Sequence, residues 1–189
     1  MSTLTEILVF IIYTLGSLYV TLVLLRFLLQ LVRADYYNPV SKSIVKLTNP
    51  LLVPLRKIIP GLFGWDLAAL VLAILLQLLL AVIILLLRGY GIVSPLQFIN
   101  WAIIELISNI LTLYFFAMLI LVIASWVAPQ SYNPALQLLR QLLDPLLRPI
   151  QKILPPMGGL DFSPLIFLML LHILKSYLLP VLARGMGVS

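Results

Sequence analysis

Four long apolar runs dominate the chain, roughly Ile7 to Val32, Leu67 to Leu87, Phe98 to Val127 and Phe162 to Leu182. Each is long enough to carry an α-helix across the roughly 30 Å of bilayer hydrocarbon, which takes about 20 residues. The polar–apolar alternation that a transmembrane β-barrel requires is absent. The pattern therefore predicts an all-α integral membrane protein with four spans.

Mixed stretches separate the first span from the second and the third from the fourth. Residues 49–60 read NPLLVPLRKIIP and residues 144–155 read DPLLRPIQKILP. Asn38-Pro39 and Asn133-Pro134 have the chemistry of helix starts, an asparagine to cap a free N–H followed by a proline whose missing donor costs nothing there. Asn49-Pro50 and Asp144-Pro145 repeat that signal eleven residues on, and Pro60 and Pro155 close the stretch. Each loop is thus expected to be a pair of short helices joined at a proline break, with Pro54 and Pro149 distorting the second. In the first copy Ile44, Leu47, Leu51, Leu55, Ile58 and Ile59 recur at helical spacing, while Lys42, Lys46, Arg56 and Lys57 fall largely elsewhere around the axis. Such amphipathic helices lie in the headgroup region, pack on the ends of the protein's own spans, or do both.

The two stretches belong to an internal repeat. Between Tyr37 and Asp66, thirteen of thirty positions are identical to those 95 residues later, Asn38, Pro39, Pro50, Pro54, Lys57, Pro60, Gly64 and Asp66 among them. RGYGIVS from Arg88 also resembles RGMGVS from Arg184, one position out of step. The halves, residues 1–94 and 95–189, each hold span, basic loop and span. Two spans return the chain to its starting side, so both copies insert in the same orientation, as parallel pseudo-twofold repeats about the membrane normal.

Composition agrees: 63% of the 189 residues are hydrophobic and 10% charged, far from the roughly 25% charged of soluble domains. MSTLTE lacks the basic n-region of a cleaved signal, so the first run is expected to be retained as a span. The long loops carry Arg33, Lys42, Lys46, Arg56, Lys57, Arg140, Arg148 and Lys152, whereas the opposite side has Arg88 and Arg184. Eight cations against two place the long loops in the cytoplasm and both termini outside. Lys42, Lys46, Arg56, Lys57, Arg140, Arg148 and Lys152 are the candidates for engaging anionic lipid or partner proteins. No basic, aromatic-interleaved module for nucleic acid is visible.

Polar residues also fall inside the spans. Glu105, Ser108, Asn109 and Thr112 share one face of the third span, and Tyr13, Thr14, Ser17 and Thr21 echo it in the first. Such faces serve helix packing in lipid or line a solvated path. Gln77 and His172 are repeat partners near the middle of their spans, with Lys175 and Ser176 a turn beyond His172. Facing lipid, each would lack partners, so both are expected to point inward from equivalent positions of a pseudo-twofold four-helix bundle. Glu105 stands near Trp101, whose ring belongs to the outer interface, where the carboxylate could be hydrated.

Catalytic chemistry finds no foothold. The chain has no cysteine and one histidine. It has no nucleophile elbow, phosphate-binding glycine loop or metal motif. Asp66 and Asp161 precede apolar runs, where helix capping accounts for them. No cofactor or metal is expected, and nothing asks for an enzyme.

The pattern YNP…NPLLVPLRKIIPG…D, duplicated as YNP…DPLLRPIQKILPP…D, resembles the YggT/YlmG family of bacterial membrane proteins over nearly the whole chain, as two copies of its module. The resemblance implies the bacterial inner membrane, with relatives in chloroplasts. It also implies association with osmotic or salt tolerance, with division and envelope shape and, in plastids, with cytochrome assembly or nucleoid distribution. It carries no catalytic residues. Pro156 in place of Gly61 and Arg148 in place of Val53 show that the copies have diverged. Two expectations follow. One is a non-enzymatic scaffold or assembly factor that engages anionic lipid and membrane, division or envelope proteins, with a homo-oligomer compatible. The other is a small ion or solute channel or transporter with a polar path between the repeats lined by Gln77, Asn109 and His172, although the spans lack the Gly/Pro breaks that mark midplane sites.

Overall fold

A computed structural model describes residues 3–61, 64–89, 94–128, 131–154 and 161–188. Helix α1 spans Thr3–Leu31, α2 Pro39–Ile58, α3 Leu67–Arg88, α4 Pro95–Val127 and α5 Pro134–Ile153. The last span is α6 (Ser163–Ile173), a π-helical turn (Leu174–Leu178) and α7 (Leu179–Gly185) in one rod. There is no strand among the described residues. Four rods, α1, α3, α4 and Ser163–Gly185, are long and apolar enough to cross a membrane.

The caps form where the residue types place them. Asn38 Oδ1 accepts from Val40 N at 2.9 Å and Asn133 Oδ1 from Ala135 N at 2.8 Å. Asp66 Oδ1 accepts from Ala69 N at 3.3 Å and caps α3, whereas α6 has Phe162 at its cap position and Asp161, expected to cap it, accepts from Ser163 N at 2.8 Å from one residue further out. Gly89 ends α3 in the left-handed conformation (φ 70) that glycine adopts without strain.

The proline break does not occur. α2 and α5 each run unbroken for 20 residues with two prolines inside. Pro50, Pro54, Pro145 and Pro149 all lie on the exposed side, so the carbonyls they leave without an N–H are open to other donors. The residues expected to cap a second helix are engaged elsewhere: Asn49 Oδ1 accepts from Arg26 Nη1 at 2.8 Å, and Asp144 pairs with Arg148 at 2.9 Å. The buried stripes cross the proline positions, with Ile44, Thr48 and Leu52 in α2 and Leu138, Leu142 and Leu143 in α5. Packing on the bundle thus holds each helix together through its prolines.

α1 and α3 form the tightest seam. A Cβ on Gly16 would fall 2.2 Å from Leu80 Cδ2, so the absence of a side chain lets the two helices close. Val20, Val23 and Leu24 of α1 meet Ala69 and Ala73 of α3 in the fully buried core, with Leu52 beneath.

The two halves are not equivalent in packing. α3 packs on both α1 and α4, whereas α6 packs on α4 and α5 and, among the described residues, makes no contact with α1. The last span is therefore an edge. It also absorbs one additional residue: Leu179 N bonds to Leu174 O, five residues back, and the turn widens. Pro180, which has no N–H for the Ser176 carbonyl, removes the competing α-helical bond. That residue accounts for the one-position slip between the Arg88-Gly89 and Arg184-Gly185 ends.

Candidate functional site

The basic residues gather at the end of the bundle where α2 and α5 meet. Asn38 Nδ2 donates to Pro134 O at 2.8 Å, and Asp35 N to Gln141 Oε1 at 2.9 Å, binding the two loop helices into one platform. Asn38 is buried, its oxygen spent on its own helix and its nitrogen on the neighbouring one. Equivalent ties fasten each loop helix to the span that follows it. Arg56 pairs with Asp66, and Gln151 Nε2 donates to Asp161 Oδ2 at 3.1 Å, the two couples being repeat partners. Hydrogen bonding to Ser163, and then to Gln151, holds the Asp161 carboxyl below the usual carboxylate range.

The seven candidate cations divide by partner. Arg56 and Arg148 are engaged with Asp66 and Asp144. Lys42 lies 5.6 Å over the Tyr37 ring. Lys46, Lys57, Arg140 and Lys152 are exposed and form no ion pair among the described residues. Large apolar side chains stand exposed beside them, Leu47, Leu51 and Ile58 on α2 and Leu146 and Ile153 on α5. One stripe of each loop helix packs on the bundle, while a second apolar set and Lys46, Lys57, Arg140 and Lys152 stand exposed.

Arg26 is the functional-looking residue that the sequence reading passed over. It sits in α1, five residues before the helix ends, and is buried. Its Nη1 reaches Thr48 Oγ1 at 2.6 Å, Asn49 Oδ1 at 2.8 Å and Val45 O at 3.3 Å, which locks α2 under α1. The available signal was an arginine inside an apolar run, since a charge there demands partners.

The intramembrane candidates do not converge. Gln77 is 2% exposed, facing into the bundle as expected, and its Oε1 has no hydrogen-bond partner among the described residues. His172 is exposed, and the expected equivalence of the pair fails: α3 has neighbours on two sides, while the matching face of α6 has none. Lys175 is also exposed at mid-span and donates to Thr112 Oγ1 at 2.6 Å, whose own hydroxyl donates to Ser108 O at 2.7 Å. Ser176 Oγ lies 3.4 Å from His172 Nδ1. Glu105 and Asn109 are half-buried on α4, with Glu105 Oε1 3.5 Å from the Tyr13 hydroxyl. A cavity of about 780 Å³ opens at the opposite end of the bundle, lined by Glu6, Tyr13, Arg88, Phe98 and Trp101 among apolar neighbours. Among the described residues no group of His, Cys, Asp or Glu could hold a metal ion.

Fold and site together define a helical membrane protein of four spans with its basic loop helices joined at one end. The CCB3/YggT family profile matches residues 5–87 and again 100–182, two tandem copies in the 95-residue register, and the chain belongs to that family. It is 52% identical over 180 residues to an uncharacterized protein of Pseudomonas aeruginosa, covering 95% of this chain and 91% of that one. It is 39% identical over 176 residues to the uncharacterized protein YggT of Escherichia coli K12, covering 93% and 88%. An uncharacterized protein of Vibrio alginolyticus is 42% identical over 158 residues, covering 83% and 85%. No solved structure matches.

Proposed function

We propose that the protein is a non-enzymatic scaffold of the bacterial inner membrane. In this reading the termini lie outside and the platform of α2 and α5 lies against the cytoplasmic leaflet. There it engages anionic lipid and the membrane proteins of envelope maintenance, osmotic tolerance or division. The observation that carries the reading is the joined pair of loop helices, each with one buried stripe, exposed leucines or isoleucines, and unpaired cations. Exposed apolar side chains beside lysines suit a helix lying at the headgroup boundary. Each cation near an anionic surface contributes roughly 1 kcal/mol before screening.

The channel reading has less support. Of the residues named for a path between the repeats, Gln77 is buried, Asn109 half-buried and His172 exposed, so the three do not line one passage. The test is lipid selection in nanodiscs of mixed phosphatidylglycerol and phosphatidylcholine. Replacement of Lys42, Lys46, Lys57, Arg140 and Lys152 by glutamine is expected to abolish enrichment of the anionic lipid around the protein. Liposomes containing the unaltered protein are expected to show no ion flux above empty vesicles. Unchanged enrichment after the substitutions, or a protein-dependent flux, would defeat the scaffold reading.

A further inference from the structure

We propose that the cavity between α1, the turn after it and α2 is a phosphoryl-binding site formed by Arg26, Arg33 and Arg56. The site is separate from the exposed lysine face of α2. The cavity holds about 410 Å³, and its polar wall is those three arginines with Gln30, Tyr36 and Ser41.

Charge in the cavity is unbalanced. Asp66 answers Arg56, and among the described residues no carboxylate lies within ion-pair distance of Arg26 or Arg33. Asp35 stands beside the mouth, but its carboxylate accepts from Tyr37 N at 2.8 Å. Arg26 is 7% exposed and bonds neutral acceptors alone. A buried guanidinium without an anion is an expensive arrangement, and an anion in the cavity would relieve it. All of its recorded bonds leave from Nη1, so Nε and Nη2 stay available to a ligand. Arg56 meets its protein partners through Nε and Nη2, which leaves Nη1.

Arg33 also lines the cavity. Its positive φ (54) is the left-handed position of the cap that ends α1, where Ala34 N bonds to Leu29 O at 2.8 Å and Arg33 N to Gln30 O at 3.1 Å, so the turn sets the arginine at the cavity wall.

The second half of the chain serves as an internal control. In the 95-residue register Leu121 replaces Arg26, Ala128 replaces Arg33 and Gln151 replaces Arg56, with Leu143 for Thr48. α5 nevertheless forms with the length and asparagine cap of α2. The module folds without the arginines, so their convergence is a property of the first half and not of the fold.

Three guanidinium groups around one cavity suit a tetrahedral oxyanion with several acceptors, whereas a carboxylate would satisfy a single fork. Arg26 lies about 8 Å from the end of α1, at 1.5 Å per residue, the depth of lipid phosphate for a span ending at the interface. The phosphoryl group belongs either to an anionic phospholipid headgroup or to a soluble phosphate compound.

Binding of short-chain phosphatidylglycerol and of radiolabelled orthophosphate to the full chain in neutral detergent tests this. One saturable ligand per chain is expected, weakened about tenfold or more by Arg26→Lys and by Arg33→Gln, as loss of a charge-assisted bond predicts. Arg33 is exposed and has no recorded role in holding the fold, so its variant remains informative if Arg26→Lys fails to fold. Arg184→Gln, an exposed cation in the last span that does not line the cavity, is expected to bind within twofold of the unaltered chain. Phosphatidylglycerol binding that orthophosphate displaces assigns the site to a lipid headgroup. Orthophosphate binding that the lipid leaves untouched assigns it to a soluble phosphate compound. Binding of neither, or binding that Arg33→Gln leaves intact, would overturn the proposal. The last result would still leave the lipid-engaging platform standing.

Discussion

Gln77 carries an amide into the middle of the bundle, and its oxygen finds no donor among the described residues. A buried acceptor without a partner costs about 1–3 kcal/mol, and an apolar group of similar size avoids that cost. Gln77→Leu is therefore expected to raise stability by about 1–2 kcal/mol in thermal unfolding of the detergent-solubilised protein. A loss of that size would instead reveal a bound donor at mid-span. His172 was legible as its repeat partner, but burial of one and exposure of the other was not. Both residues have the same place in their own span, and the difference lies in which helices come to stand beside α3 and α6. Arg26 shows the opposite limit: its position was visible, but its meaning required α2 to fold back and bring Thr48 and Asn49 beneath it.

Among the elements, the spans and the side-chain caps of Asn38, Asp66 and Asn133 were readable because length, apolarity and local capping chemistry decide them within a few residues. The fate of Pro50 and Pro145 was not. Whether a proline breaks a helix depends on where its orphaned carbonyl points, and that is settled by which stripe the bundle buries. The π turn was visible only as a slip of one residue between the repeat ends, with no sign of which turn would absorb it. The α1–α3 seam allows the sharpest test at this scale. Gly16→Leu is expected to destabilise the protein by about 1–3 kcal/mol through overpacking against Leu80. Leu80→Ala in the same chain should return part of that loss, because the two side chains contest one space. Full independence of the two substitutions in a thermal-unfolding cycle would place the seam elsewhere.

For the whole molecule, the repeat makes both loop helices share one end, and their cross-bonds join them into a single surface. That much follows from two spans per repeat. The open flank of α6 does not, since α3 packs on α4 while, among the described residues, α6 leaves α1 untouched. His172, Lys175 and Ser176 consequently stand exposed at mid-span. The scaffold account depends above all on the platform being cytoplasmic, where anionic lipid and the bias of eight loop cations against two agree. The chain has no cysteine, so single reporters can be placed at will. Ser43 on α2 and Ser94 before α4 are both exposed, whereas Ser41 is buried against the Asp35 carbonyl and would report poorly. In intact cells, an impermeant maleimide added from outside is expected to label Ser94→Cys and to leave Ser43→Cys unlabelled until the membrane is opened. Labelling of Ser43→Cys from outside, with Ser94→Cys protected, would contradict the account.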